Sequence, residues 1–147
     1  MNEKYMKEAL KEAKKSLIYD DVPVGTVIVL NNKIIARGYN MKEKYNDPTM
    51  HAEIVAIKKA TKKLNDWYLK DCILYVTMEP CLMCCGAIMQ SRIKKVVYGV
   101  KNEKFGYVSS IEKMLDNSKN NHIVKVEGNI LENESKKLVQ EFFKNKR

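Results

Sequence analysis

The chain has 147 residues, of which 45% are hydrophobic and 31% are charged. This length and balance predict a single domain over residues 1–147 with a core of its own, and they exclude a disordered chain. The longest apolar stretch, residues 22–30, is interrupted by Pro23 and Gly25 and is far shorter than the roughly 20 residues that cross a bilayer, so we expect no membrane-spanning segment.

Basic residues outnumber acidic ones by 27 to 18, which gives a formal net charge of +9. Such a charge favours a polyanionic partner such as nucleic acid. The excess is mostly lysine, which could equally reflect the base composition of a genome, so charge alone does not decide. The first residues lack the apolar region of a secretory signal, and we therefore expect a cytoplasmic protein.

Apolar periodicity, β-branched runs and turn residues predict the elements in chain order. They are a helix over 5–17, strands over 24–30 and 33–38 joined at Asn31 and Asn32, a helix over 50–63 begun by Asp47-Pro48-Thr49, a strand over 72–77, a helix from Pro80 to about 91, strands over 95–99 and 123–127, and a helix over 133–143. Helices that alternate with strands after an opening hairpin predict an α/β sandwich with a mixed sheet.

Three of the four cysteines lie within five residues, which favours metal binding over disulfides. Cys81 and Cys84 are three apart, so on a helix they share a face and can direct two thiolates at one point. His51 would supply a third ligand. Zinc with three protein ligands and an open fourth position is the catalytic arrangement, because the open position holds a water whose pKa the metal lowers.

Glu53 lies two residues after His51 and is poorly placed to be a fourth ligand. A carboxylate beside the metal can instead move protons between water and substrate. Two alternatives to a catalytic zinc site remain open. One is a thioredoxin-like dithiol, and the other is a closed structural site with Cys85 as the fourth ligand. We expect Cys85 and Cys72 to be core thiols.

The residues His51-Ala52-Glu53 and Pro80-Cys81-Leu82-Met83-Cys84 together resemble the cytidine and nucleotide deaminase superfamily. Further stretches are similar to the bacterial tRNA-specific adenosine deaminases. These stretches are residues 22–25, 38–40, 47–49, 74–80 and 91–93. The resemblance covers nearly the whole chain and implies a three-layer α/β/α sandwich with a mixed five-stranded sheet, the cytidine deaminase-like fold.

The same resemblance implies an activity, a cofactor and partners. The activity is hydrolytic deamination of adenosine to inosine at the wobble position, position 34, of a tRNA anticodon stem-loop, usually of an arginine tRNA, by a homodimer. His51, Cys81 and Cys84 would bind one Zn²⁺ per subunit, and Glu53 would transfer the proton. Asn40 matches the asparagine that hydrogen-bonds the flipped base, although it could also be an ordinary turn residue.

Basic residues near the fourth predicted strand and near the C-terminus are candidate RNA contacts. They are Arg92, Lys94, Lys101 and Lys104, and Lys144, Lys146 and Arg147 after Phe142-Phe143, where an aromatic ring would stack on a flanking nucleotide. The alternative for each is a solvated lysine face and a core aromatic pair. His122 has no ligand partner, and we expect it to be structural.

Two positions depart from the family pattern. Asn102 stands where relatives usually carry an acidic residue close to the target ribose. Loss of that charge predicts weaker discrimination between RNA and DNA, because the 2′-hydroxyl distinguishes the two. Met50 replaces a smaller residue just before His51 and is expected to alter the edge of the pocket.

Two other functions remain as alternatives. A deaminase of a free base or nucleoside, such as guanine or cytosine, would share the fold and the zinc motif. A non-catalytic, zinc-stabilised RNA-binding subunit would be expected to lose the proton-transfer residue, and Glu53 is present.

Overall fold

The computed structural model describes residues 2–146, which form five strands and five α-helices. In chain order the elements are α1 (Asn2–Lys15), β1 (Gly25–Leu30), β2 (Lys33–Tyr39), α2 (Lys42–Tyr45), α3 (Ala52–Leu64), β3 (Ile73–Met78), α4 (Leu82–Gln90), β4 (Lys95–Val100), β5 (Lys125–Glu127) and α5 (Glu132–Lys144). A 3-10 turn, Ser16–Tyr19, extends α1.

The five strands form one mixed sheet in the order β2-β1-β3-β4-β5. The hairpin strands β1 and β2 are antiparallel, and β1 is also antiparallel to β3. The strands β3, β4 and β5 are parallel to one another. Their carboxyl ends therefore lie at one edge of the sheet, which is where open α/β sheets place ligand sites.

Helices cover both faces of the sheet, so the predicted three layers are confirmed. On one face α3 and α4 bury a large cluster that includes Ala56, Ala60 and Ile88. On the other face α1 packs Met6 and Ala9 onto the sheet, and α5 lies beside it on β4. Apolar side chains from alternate strand positions fill both interfaces, as expected for a sheet that is covered on both sides.

An ion-pair group also joins α1 to the edge strand β2. The Arg37 guanidinium contacts the Glu8 carboxylate at 2.8 Å and the Glu12 carboxylate at 3.4 Å. The hydrogen bonds from Lys11 and Arg37 lower the pKa of Glu8, and the hydrogen bond to Glu8 raises the pKa of Arg37. Charged side chains on the free edge of β2 also oppose pairing with another strand.

The structure differs from the predicted elements mainly at their ends. The helix α1 begins at Asn2, α4 at Leu82 and β5 at Lys125, against predicted starts at residues 5, 80 and 123. The helix predicted over 50–63 begins at Ala52, because the Asp47 carboxylate accepts hydrogen bonds from the Thr49 N–H and hydroxyl and holds them in a turn. The short helix α2 and the 3-10 turn lie in stretches that the pattern left as loop or helix end. Among residues 2–146, no helix combines the length and apolar character needed to cross a bilayer.

Candidate active site

Two helix N-termini converge at the carboxyl edge of the parallel strands. His51 is the residue that precedes α3, and Cys81 is the residue that precedes α4 directly after β3. Neither side chain caps its own helix. Both are therefore free to face each other across the gap between α3 and α4, with Cys84 in the first turn of α4.

The structure brings the three predicted metal ligands together. The His51 Nδ1 lies 3.6 Å from the Cys81 Sγ and 3.6 Å from the Cys84 Sγ. All three donor atoms lie within 4.8 Å of one another, and within residues 2–146 this is the one group of His, Cys, Asp or Glu side chains arranged to hold a metal ion. An imidazole nitrogen and two sulfurs at this spacing form a metal-binding cluster.

The other two cysteines lie in the core. Cys72 and Cys85 are fully buried within the cluster under α3 and α4, and burial raises the pKa of both thiols. The Cys85 sulfur faces the Pro80 carbonyl oxygen at 3.8 Å. The prediction that they are core thiols is confirmed, and Cys85 does not close the metal cluster.

The pKa values of the two cysteines in the cluster are shifted in opposite directions. The pKa of Cys81 falls to about 4 because the Cys84 thiol donates a hydrogen bond to its sulfur and His51 adds a second. The pKa of Cys84 rises, since it holds the shared proton and is buried. The hydrogen bond to Cys81 in turn raises the pKa of His51. The cluster therefore carries a thiolate at neutral pH, which is the ligand form of cysteine.

Glu53 lies beside the cluster without belonging to it. It sits in the first turn of α3 with only 4% of its surface exposed. Burial raises its pKa to about 7, and its own backbone hydrogen bond and the charge of His51 only partly oppose this. At neutral pH such a carboxyl group is present in both protonation states, which suits proton transfer in either direction.

Comparison with known proteins agrees with this geometry. The model of the MafB19-like deaminase family matches residues 1–147. The tRNA-specific adenosine deaminases of Streptococcus pyogenes serotype M1 and Aquifex aeolicus are each 46% identical to the chain, over 95% and 97% of its length and 82% and 93% of their own. The chain belongs to the tRNA-specific adenosine deaminase family.

A solved structure from work on A-to-I editing by tRNA:A34 deaminases matches this deaminase with a TM-score of 0.87. It is 38% identical, and the match covers 91% of this chain and 97% of that one. This neighbour confirms the cytidine deaminase-like fold that the motifs implied. The deaminase activity predicted for the chain is likewise confirmed by its family.

Asn40 lies at the end of β2 in this deaminase and is 7% exposed. Its amide nitrogen donates to the Val22 carbonyl oxygen at 3.2 Å, and its amide oxygen accepts from the Lys42 N–H at 3.3 Å. These bonds hold the residue at the rim of the site. Each amide group keeps one further hydrogen-bonding position, so the predicted contact with a base stays a prediction.

One residue beside the deaminase site was not predicted from the sequence: Glu79, which directly follows β3 and lies two residues before Cys81. Its side chain is 2% exposed, and its carboxylate accepts hydrogen bonds from the backbone of Asn102, Val108, Ser109 and Ser110 and from the Ser110 hydroxyl. Burial alone would raise its pKa, but these bonds outweigh it and the pKa is lowered. The sequence feature that could have indicated this role is a glutamate placed between a buried strand and a proline.

Three predicted RNA contacts, Lys101, Asn102 and Lys104, lie on the loop that follows β4, residues 101–110. Lys104 is exposed there, and Asn102 turns its side-chain oxygen towards the Phe105 N–H at 3.2 Å. The loop reaches the metal cluster through an isolated bridge between Gly106 and Cys81. Asn102 and Lys104 are therefore close to the candidate active site of the deaminase.

Other predicted contacts are spread over the deaminase. Arg92 lies beyond the far end of α4, about 13 Å along the helix axis from its first residue, and its guanidinium donates to the Met89 carbonyl oxygen. The extended strand β4 separates Arg92 and Lys94 from Lys101 and Lys104, so the predicted cluster is two groups.

Phe142, Phe143 and Lys144 lie in the last turn of α5, and Lys146 follows it. Phe143 is 48% exposed, and Phe142 is half-buried, so the alternative of a core aromatic pair is wrong. Lys146 pairs with Asp20 of the loop that follows the 3-10 turn. Arg147 lies outside the described residues. The His122 Nε2–H donates to the Ile93 carbonyl oxygen at 2.7 Å, which fits the structural role expected for it.

Proposed function

We propose that the chain deaminates adenosine to inosine hydrolytically at the wobble position of a tRNA anticodon, with one zinc ion per subunit. The observation that carries the proposal is the metal-binding cluster next to the buried Glu53, in a chain 46% identical to a tRNA-specific adenosine deaminase over 95% of its length. The net charge of +9 supports an RNA substrate.

The donor atoms fit zinc. A tetrahedral ion with bonds of about 2.3 Å to sulfur and about 2.0 Å to nitrogen separates those two atoms by about 3.5 Å. The sulfur-to-nitrogen distances of 3.6 Å agree with this value. His51, Cys81 and Cys84 would hold the ion, and an open fourth position follows from three protein ligands. When bound, zinc supplies a Lewis acid that lowers the pKa of water towards neutrality.

Glu53 performs the proton transfers of the proposed reaction. It accepts a proton from the attacking water and delivers it to N1 of adenine, which makes C6 electrophilic. The water oxygen bonds to C6, and Glu53 then takes the remaining proton of that oxygen and delivers it to the amino group. The C6–N bond breaks as the C6=O bond forms, so that adenosine and water give inosine and ammonia. Its pKa of about 7 supports both the acceptor and the donor role.

The base reaches Glu53 only if it leaves the stack of the anticodon loop. Asn40 at the rim would hydrogen-bond the flipped base, and Asn102 would face the ribose. Lys104, on the loop that follows β4, and Phe143, in the last turn of α5, are exposed, and they would contact phosphate and a flanking base. Arg92 would contact the substrate only from the far end of α4.

We further propose an arginine tRNA as substrate, a homodimer as the active form and the cytoplasm as its location. Two exposed apolar side chains on α4, Leu82 at 50% and Met83 at 37%, support an interface beside the site. Light scattering after size exclusion would measure the mass, and a mass of one chain at micromolar concentration would refute the dimer.

The decisive assay measures inosine in an anticodon stem-loop that carries adenosine at the wobble position. Parallel reactions would measure ammonia from free guanine, cytosine and adenosine. Inosine in the stem-loop alone supports the proposal. Release of ammonia from a free base with an unreacted stem-loop would instead support the free-base deaminase, and binding without either product would support the non-catalytic subunit.

A further inference from the structure

The loop that follows β4, residues 101–110, contains neither helix nor strand, yet it borders the candidate active site. The Gly106 N–H donates to the Asn102 carbonyl oxygen and the Tyr107 N–H donates to the Pro80 carbonyl oxygen, at 2.7 and 3.0 Å. Val108 inserts into the core with 1% exposure. Four backbone N–H groups of the loop and one hydroxyl converge on Glu79.

Both oxygens of the Glu79 carboxylate are used. Oε1 accepts from the Asn102 N–H at 3.1 Å and from the Ser110 hydroxyl. Oε2 accepts from the N–H groups of Val108, Ser109 and Ser110 at 3.0, 2.7 and 2.9 Å. The two oxygens thus join the beginning of the loop, at Asn102, to its end, at residues 108–110.

We infer that Glu79 is a positioning residue, which fixes the 101–110 loop against the metal cluster and thereby sets the wall of the pocket that receives the substrate. The inference rests on the proposed function. Glu79 is only two residues before Cys81 in the chain. A loop that is hydrogen-bonded to Glu79 is therefore also held next to the metal-binding cluster. The loop carries Asn102 and Lys104, the residues proposed to face ribose and phosphate.

Gly106 supports this assignment. A Cβ at this position would collide with the Glu79 carboxylate and approach the Asn102 carbonyl oxygen at 2.5 Å. The loop backbone therefore passes close to the carboxylate, where a side chain could not fit. Close approach of backbone to a buried anion is the arrangement that positions a loop through its N–H groups.

The test replaces Glu79 with glutamine. Whichever way the glutamine amide turns, its NH₂ group faces at least one backbone N–H that loses its acceptor, and a lost hydrogen bond to a charged group costs about 1.5–3 kcal/mol. Hydrogen exchange at the amides of Asn102, Val108, Ser109 and Ser110 should accelerate by at least about tenfold. KM for the anticodon stem-loop should rise by about tenfold or more, while kcat and zinc per chain stay near those of the unmodified chain.

Two further variants keep the test interpretable. Ser110→Ala removes one donor and leaves the carboxylate with its backbone partners, so it should fold and shift the exchange rates and KM in the same direction but less. Glu103→Gln removes the same charge from an exposed position of the same loop and should change neither.

The outcomes separate three cases. Unchanged exchange at the four amides in Glu79→Gln overturns the inference, as does faster exchange with an unchanged KM. A fall in zinc content and kcat at constant KM assigns Glu79 a merely structural role and also overturns it. If the unmodified chain forms no inosine, the proposed function fails, while the exchange measurement still decides whether Glu79 fixes the loop.

Discussion

The roles proposed for Glu53 and for the three ligand side chains are separable, which predicts an asymmetric effect of mutation. Glu53→Gln keeps the shape of the side chain and the metal cluster but cannot accept or deliver the proton. We expect inosine formation to fall by about 10² to 10⁴, with zinc content and stem-loop affinity retained. Product analysis, metal analysis and fluorescence anisotropy measure the three quantities. Glu112→Gln, at an exposed position, is the control, and a Glu53→Gln chain with undiminished activity would refute the assigned role.

Asn102 is the residue from which we predict weaker discrimination between RNA and DNA. Its side-chain oxygen is already used by the Phe105 N–H, so its free group towards solvent is a donor. An aspartate could keep that bond with one oxygen and offer the other to a ribose 2′-hydroxyl. Asn102→Asp should therefore raise the ratio of kcat/KM for RNA over a matched DNA hairpin by about tenfold. An equal ratio for both chains, or no DNA reaction in either, would contradict the prediction.

At the level of elements, two glycines set how closely helices approach the sheet. A Cβ on Gly38 would collide with the backbone of α3 at Ala52 and Ala56, and one on Gly25 would collide with α1 at Ala9 and Ala13. Each change to alanine should lower the free energy of unfolding by about 1–3 kcal/mol, as measured in urea. Only Gly38→Ala displaces α3, the helix that follows His51, so it alone should weaken zinc affinity. Equal zinc affinity in both variants would contradict this assignment.

The same elements show what a sequence can predict. Cys81 and Cys84 could be paired from their spacing of three residues, and their joint pattern with His51 and Glu53 matches a deaminase motif. The start of α3 could not be predicted, since the competing turn at Asp47 depends on side-chain hydrogen bonds that leave no periodic signal. Glu79 was missed because its partners are 23 to 31 residues away in the chain.

Proximity in sequence also misled where an extended strand intervenes. Arg92 and Lys104 flank β4, whose six residues span about 20 Å. These residues are close in the sequence but lie at opposite ends of the strand. Conversely, α5 and the 3-10 turn are far apart in the chain but meet through Lys146 and Asp20. Topology decides such contacts, and the parallel arrangement of β3, β4 and β5 was not specified by the strand patterns themselves.

For the whole molecule, an ion held by His51, Cys81 and Cys84 would cross-link the N-terminal ends of α3 and α4 on one face of the sheet. A chelator should therefore abolish inosine formation and also lower the midpoint of thermal unfolding, because an ion that binds only the folded chain stabilises it by about 4 kcal/mol at a concentration 1,000 times its Kd. Added zinc should restore both properties.

Two matched cysteine variants test which side chains bind the ion. Cys84→Ser should lose zinc and the chelator-dependent part of the stability. Cys85→Ser, at the neighbouring core position, should keep one zinc per chain even though burying a hydroxyl in place of the thiol costs some stability. Zinc content by metal analysis and unfolding midpoints with and without chelator measure this. Zinc retained by Cys84→Ser but lost from Cys85→Ser would show that a different donor set binds the ion, and a chelator that stops activity without shifting the midpoint would show that the metal does not join the two helices.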